Sequence, residues 1–382
     1  MRDYLKCFKT SKVSPLSEIR EALQSSWKSP SNIALIKYWG KKGNQLPANP
    51  SLSMTLDKAA TYTWVKASWL SHTSAPSENS KFSAGLSGQS GVNCVNNDHH
   101  HPFSVRLNKL YQTLTREVPL LDSLTVEVNT GNSFPHSTGI ASSASGISAF
   151  VFCLFEIVAK IQGVRTDTED FFRAVSFASR LGSGSACRSV YGGFTLWGKT
   201  AGVRGSSDLE SVPLNDVIHP DLLSLRDAIL VISTQPKSLS SSRGHDIMGS
   251  HPFAKARYQQ ARDNLSDMVK ALQKGDMEGI ALISENEALS LHALLMTSGS
   301  GGFLMKPATV AVIQKIQQAR GKGLPVFFTL DAGPNIHLLY PSSDRRAVEA
   351  FIRDEVSPFC EKGEIIFDHC GRGAVPIHTS LF

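Results

Sequence analysis

The chain has 382 residues, 41% of them hydrophobic and 19% charged, an ordinary globular balance with enough length for two or three domains. Its net charge of +6 is not gathered into a long Lys/Arg run, so it suits an anionic small molecule as well as nucleic acid and selects neither. The six cysteines form no CxxC pair, which argues against a zinc knuckle or a disulfide framework. The start, MRDYLKCFKTSKV, lacks the apolar core of a secretory signal, and the apolar run from Ile147 to Ile161 is short and broken by Glu156 and Lys160. These features predict a soluble protein of the cytoplasm with reduced thiols.

Residues 1–27 are polar and mixed and are expected to form a loosely attached extension. From Ser31 to Leu56, short apolar runs alternate with turns, and Lys37, Tyr38 and Lys41 interrupt an otherwise apolar stretch. TYTWVKASWL (61–70) alternates as a strand does. Residues 71–102 are rich in Ser, Asn and Gly and contain His99, His100 and His101. Without acidic or cysteine partners at ligand spacing, those histidines read as part of a solvated loop rather than a metal site. SVRLNKLYQTLTREV (104–118) predicts a helix and LTVEVNT (124–130) a strand.

That strand leads into NSFPHSTGIASSASG (132–146), a run of small residues before an apolar helix ending near Ile161. Glycine lets backbone approach a ligand, and free N–H groups with the helix dipole make such a helix start an anion site. A tight turn that merely lets the helix pack would carry the same residues. DFFRAVSFASRLGSGSAC (170–187) reads as a helix breaking into a second hydroxyl-rich loop, where Arg188 suits bidentate contact with a carboxylate or phosphate. YGGFTLWGK (191–199) is expected to be a strand. GFTLWGKT also matches a Walker A pattern, but FTLW favours a strand and AGVRGSSDLES offers no core helix after Lys-Thr, so the match is discarded.

The second half predicts a strand at 227–234, helical periodicity across 251–297, and a helix at 308–323 with a glycine stop. LPVFFTLD and IHLLY follow as strands, then SDRRAVEAFIRDEV as a helix and EIIFDH as a strand. Strands and helices mixed without regular βαβ alternation predict an α+β protein, with a boundary in the polar stretch near 200–225. Asp331 ends a strand just before Ala-Gly-Pro, where a turn or cap residue would also be ordinary.

NIALIKYWGK (32–41), FPHSTGIASSA (134–144), SGSACRSVYGG (183–193), SLSSSRG (238–244) and DAGPN (331–335) occur in this order. Together they resemble the motifs of the diphosphomevalonate decarboxylases, members of the GHMP kinase superfamily. The resemblance implies an extension (1–27), a GHMP-type N-terminal domain (28–210) and a ferredoxin-like C-terminal domain (211–382), with the site in the cleft between. It implies ATP and Mg2+, and phosphorylation of the tertiary 3-hydroxyl of mevalonate 5-diphosphate. Phosphate and carbon dioxide would then leave to give isopentenyl diphosphate. On this pattern Asp331 would orient the hydroxyl and assist its deprotonation, Lys37 would meet developing charge or pair with Asp331, and Arg188 would hold the carboxylate. Ser183, Ser185 and Ser241 would bind substrate, with Tyr38, Lys41 and Arg243 toward the 5-diphosphate and Asn32 supporting the lysine strand. Ser137, Gly139, Ser142, Ser143 and Gly146 would hold the nucleotide, and Ser143 would also meet the metal. Cys187 reads as packing.

His136 departs from the small residues usual at its place, and the longer 71–102 segment leaves the base contacts unassigned. The resemblance further implies a homodimer, a small-molecule substrate and no nucleic-acid or membrane partner. A relative using mevalonate 5-phosphate, a small-molecule kinase of the same superfamily, and a binding module on this fold are the alternatives.

Overall fold

The structure is a computed structural model; it describes residues 4–8, 23–70, 82–85, 101–134, 142–235, 239, 241–299 and 302–378. In chain order the first half contains β1 (Leu23–Ile36), the short hairpin β2 (Lys41–Lys42) and β3 (Leu46–Pro47), β4 (Ser51–Trp69) and β5 (Phe82–Gly85). α1 (Pro102–Thr115), β6 (Leu124–Asn132), α2 (Ser142–Gln162), α3 (Glu169–Gly182), β7 (Phe194–Trp197) and β8 (Ser211–Pro213) follow. The second half contains β9 (Arg226–Leu230), α4 (Ser241–Ser250), α5 (Ala254–Lys274), α6 (Met277–Thr297), α7 (Pro307–Gly321), β10 (Phe327–Thr329), β11 (Ile336–Tyr340), α8 (Arg345–Phe351), β12 (Ile365–His369) and β13 (Val375–Pro376).

The first sheet is built on the long strand β4. One end of β4 pairs with β7, the other with β6, and β1 runs antiparallel along its opposite edge. β1 changes register twice, between Pro30 and Asn32 and between Ala34 and Ile36. Such irregularities re-aim the side chains that follow, and Lys37 is the next residue after the second. α2 lies under this sheet and is apolar on all sides because α1 and α3 cover what the sheet does not. It is long and apolar enough to cross a membrane by length and composition, and 89% of that stretch is buried in the fold. Its two charges are accommodated. Glu156 accepts from Ser25 Oγ (2.6 Å) and Trp27 Nε1 (2.5 Å) and pairs with Lys160 (2.9 Å).

The second sheet has the order β10-β11-β9-β12 and is wholly antiparallel. Numbered within the second half, that is the 2-3-1-4 order of a ferredoxin-like fold. α5 ends at Gly275, whose φ of +69° suits the left-handed cap. Asp276 then caps α6 by accepting from Gly279 N (3.0 Å).

The two sheets share a core in which Ile33, Ile36, Leu52 and Met54 meet Ile229, Leu265, Phe327 and Leu339. Asp368 on β12 accepts from the backbone N–H groups of Asp57, Lys58 and Ala59 at 3.0, 2.9 and 2.7 Å. The C-terminal strand β13 returns to pair with β1.

Two expectations need correcting. The segment 1–27 is not loosely attached where it is described. Leu5 and Phe8 are buried in the first core, and Leu23–Trp27 belong to β1, because Trp27 stacks on Phe152 with ring centroids 4.2 Å apart. Within 71–102, residues 82–85 form a strand parallel to β6, and His101 caps α1 by accepting from Phe103 N. The rejection of the Walker match is borne out. FTLW is the buried strand β7, and turns rather than a helix follow it.

Candidate active site

Lys37 stands directly after β1 and is 1% exposed. Its Nζ donates to Ala34 O (2.7 Å) and to Asp331 Oδ1 (3.0 Å). Its backbone is held as firmly: Asn49 Nδ2 donates to Lys37 O (2.9 Å), and Lys37 N donates to Glu287 Oε2 (2.8 Å). Burial pushes the lysine below its usual pKa, while Asp331 and then Glu287 pull it back up. The Asp331 side chain is 28% exposed, so the carboxylate is the open end of the pair.

Asp331 lies two residues beyond β10. Its carbonyl meets His292 Nε2 (3.0 Å) and accepts from Gly333 N (2.7 Å). Asn335 exchanges two hydrogen bonds with the Ser233 backbone at 2.9 and 3.0 Å, and Thr309 donates to Pro334 O (2.8 Å). The DAGPN turn is therefore pinned from three elements, and Thr329 Oγ1 also bonds Ala34 O (3.2 Å) across to β1.

Arg188 sits on the tight turn after α3, buried, with its Nε donating to Ser53 Oγ (2.9 Å) on β4. Its Nη1 is buried without a hydrogen-bond partner. Burial lowers its pKa, and Asp331 is among the charges acting on it. Tyr38 lies against Trp197 and His245, with ring centroids 4.7 and 4.2 Å away, and its hydroxyl is likewise buried and unpaired. A buried donor left unsatisfied costs about 1–3 kcal/mol, and a ligand supplying acceptors to these two groups would remove that cost. Ser183 and Ser185 stand on the same turn with their hydroxyls 3.4 Å apart. Asn32 donates to Ser189 Oγ (2.8 Å) and so braces that turn against β1. Cys187 is buried and its thiol is pushed up to about 12, chiefly by desolvation, in keeping with a packing role.

α4 brings residues 241–244 of the SLSSSRG motif to the same place. Gly244 packs so closely on the Trp39 ring that a Cβ would not fit. His245 accepts from Gly40 N (3.0 Å) and is held neutral, its pKa lowered to about 3 by burial and then by Lys41 and Arg188. These contacts put the exposed Arg243 and the helix's first residue, Ser241, on the element that covers the Tyr38–Lys41 segment.

The small-residue loop is described only in part. Ser137, Gly139 and His136 lie outside the described residues. Ser142 and Ser143 are half-buried at the start of α2, whose first turn carries no acidic residue. That turn is fixed by Ser145, which is 2.6 Å from Thr61 Oγ1, itself donating to Asn132 Oδ1 (2.7 Å). Gly146 is buried beneath the Phe103 ring, which leaves no room for a Cβ, so helix packing by itself accounts for glycine there. Among the described residues no group of three or more His, Cys, Asp or Glu could hold a metal. A divalent ion near Ser143 would need oxygens from a bound nucleotide, the usual habit of magnesium.

Ser53, Trp197, His245, Glu287 and Arg257 all reach this cluster without having stood out in the sequence. Glu287 had a faint signal. It falls on the buried stripe Ile280–Ser284–Glu287–Leu291 of α6, a place where a lone charge needs a partner.

A profile for the diphosphomevalonate decarboxylase-like N-terminal domain matches residues 29–209, and one for the mevalonate 5-diphosphate decarboxylase C-terminal domain matches 228–371. The chain belongs to the diphosphomevalonate decarboxylase family. The diphosphomevalonate decarboxylase of Schizosaccharomyces pombe is 30% identical over 339 residues, spanning 85% of this chain and 81% of the relative. That of Aspergillus fumigatus is 29% identical over 355 residues, spanning 90% and 83%. Among solved structures of the family, the mevalonate diphosphate decarboxylase from Staphylococcus aureus superposes with a TM-score of 0.75 at 25% identity, covering 94% of this chain and 99% of that one. The structure of MDDEF in complex with MVAPP, AMPPCP and magnesium gives 0.74 at 26% identity, covering 94% and 100%. The two-domain GHMP-type fold with its ferredoxin-like second half is thus the family's fold.

Proposed function

We propose that the protein converts mevalonate 5-diphosphate and ATP into isopentenyl diphosphate, ADP, phosphate and carbon dioxide. The observation that carries this is the Lys37–Asp331 pair at 3.0 Å beside the unpaired Nη1 of Arg188. It joins a base, a fixed cation and a reserved carboxylate donor in one cleft. The complex of MDDEF with MVAPP, AMPPCP and magnesium supports the same set of ligands.

Asp331 orients the tertiary 3-hydroxyl and takes its proton as the oxygen attacks the γ-phosphorus of ATP. Lys37 Nζ meets the charge growing on the transferring group. The C3–O bond then breaks with its electron pair on phosphate, leaving C3 electron-poor. The C1–C2 bond breaks next, its electrons form the C2=C3 double bond, and carbon dioxide departs from the grip of Arg188. Tyr38, Lys41, Ser241 and Arg243 hold the 5-diphosphate, and Ser183 and Ser185 fix the rest of the substrate. The N-terminal turn of α2, with Ser142 and Ser143, together with Ser137 and Gly139, receives the triphosphate. Ser143 and the phosphate oxygens of a bound nucleotide would hold magnesium, which would supply charge neutralisation. The free cysteines among the described residues support the cytoplasm as compartment, and a homodimer is inferred from the family resemblance.

The test offers purified protein ATP and magnesium with mevalonate 5-diphosphate, mevalonate 5-phosphate or mevalonate, following ADP and carbon dioxide together. Release from the diphosphate only is expected. Release from the monophosphate only would move the substrate and overturn the assignment of Tyr38, Lys41 and Arg243.

A further inference from the structure

Lys37 is flanked by two carboxylates. Asp331 faces the cleft. Glu287 lies on the opposite side, on α6, with its side chain at 0% exposure and out of contact with solvent. It is a singular acceptor. Oε2 takes the N–H of Lys37 (2.8 Å), Oε1 takes Asn264 Nδ2 (2.7 Å), and Arg257 on α5 donates to both oxygens, with Nη1 at 2.8 Å from Oε1 and Nη2 on Oε2. A helix, its neighbour and the catalytic strand converge on this one buried group.

We infer that Glu287 is a positioning residue for Lys37, fixing the backbone that aims the ammonium at Asp331 and supplying the second negative charge that keeps it protonated. The inference rests on the catalytic reading of Lys37 and Asp331, and it answers a problem within that reading. When Asp331 takes the substrate proton, it ceases to be a counter-ion, and Lys37 is then a cation with almost no solvent contact. Such a cation would tend to lose its proton at the moment it is needed. Glu287 has its own ion pair with Arg257 and takes no part in that proton transfer. The charged groups around Lys37 are Asp331 from the turn after β10, Arg188 from the turn after α3, Glu287 from α6, and Arg257 behind Glu287 on α5. Glu287 and Asp331 raise its pKa; burial and Arg188 lower it.

The test uses Glu287→Gln combined with Arg257→Gln. This pair removes both charges together and leaves no lone buried charge. The Lys37 amine is followed by lysine 15Nζ NMR in the ligand-free protein and assigned by its loss in Lys37→Met. Its titration midpoint is expected to fall, and the basic limb of the kcat profile to move to lower pH with it, while KM for mevalonate 5-diphosphate changes less than threefold. The single variant Arg257→Gln, which leaves Glu287 without its arginine, is expected to shift the midpoint upward. Glu287→Asp, which keeps the charge, should stay close to the wild-type midpoint. A double variant whose midpoint does not lie below that of Arg257→Gln alone would overturn the inference and leave a structural role. The NMR titration needs no turnover, so a wrong substrate assignment would not disturb it.

Discussion

The two sides of the cleft are built on opposite principles. Around Lys37, the backbone N–H, the carbonyl and the ammonium each have named partners. Around Tyr38 and Arg188, polar atoms are buried and left without partners. The first side is preorganised, so its geometry costs little to hold during reaction. The second side bears an unmet hydrogen-bonding demand that a substrate can satisfy. The contrast teaches which residues should respond to substitution through the rate and which through binding.

Three substitutions sharpen that contrast. Asp331→Asn removes the base and the open half of the ion pair. Its kcat is expected to fall by about 10²–10⁴-fold, while calorimetry still detects ATP binding. An unaltered kcat would remove Asp331 from the chemistry. Tyr38→Phe acts on the unpaired side. It deletes a buried hydroxyl that has no partner in the free protein, so thermal stability should hold or rise, whereas KM for mevalonate 5-diphosphate should rise about tenfold, the equivalent of one hydrogen bond near 1.4 kcal/mol. A fall in stability with KM unchanged would break the comparison, because the hydroxyl would then be structural. Lys199→Ala probes the discarded Walker match. Lys199 follows β7 and its backbone N–H bonds Asp208 Oδ1 (2.7 Å). KM for ATP is expected to change less than twofold in initial-rate measurements.

The pH dependence follows from the same pair. In the proposed mechanism, activity needs Lys37 protonated. Burial sets its pKa below the usual lysine value of 10.5, so the rate should be full below the shifted value and decline as pH rises through it. Lys37→Arg, which stays protonated throughout, should lose that basic limb in whatever activity it retains.

Much of the fold was legible because local pattern and burial agree. The alternation of TYTWVKASWL becomes the inner half of β4, and the apolar run before Ile161 becomes α2, though it starts earlier, at Ser142. The parts that escaped depend on distant partners. Leu23–Trp27 read as polar, yet the strand exists because β4 and β13 border it. Phe82–Gly85 is a strand by virtue of β6, not of its own composition. The site divides in the same way. Lys37, Arg188 and Asp331 were legible as motif residues. Their supports were not, since Arg188 meets Ser53 across 135 residues, Gly40 meets His245 across 205 and Lys37 meets Glu287 across 250. Sequence spacing holds no information about contacts of that range; the packing of distant elements creates them.

The most direct measurement is the ratio of carbon dioxide to ADP released in a single turnover of ATP with mevalonate 5-diphosphate. One carbon dioxide per ADP is the predicted result, because in the proposed mechanism phosphorylation of the 3-hydroxyl beside Asp331 and release of the carboxylate from Arg188 belong to one sequence. ADP without carbon dioxide would contradict the account: the chain would be a kinase, and the reserved Arg188 donor would have no carboxylate to release.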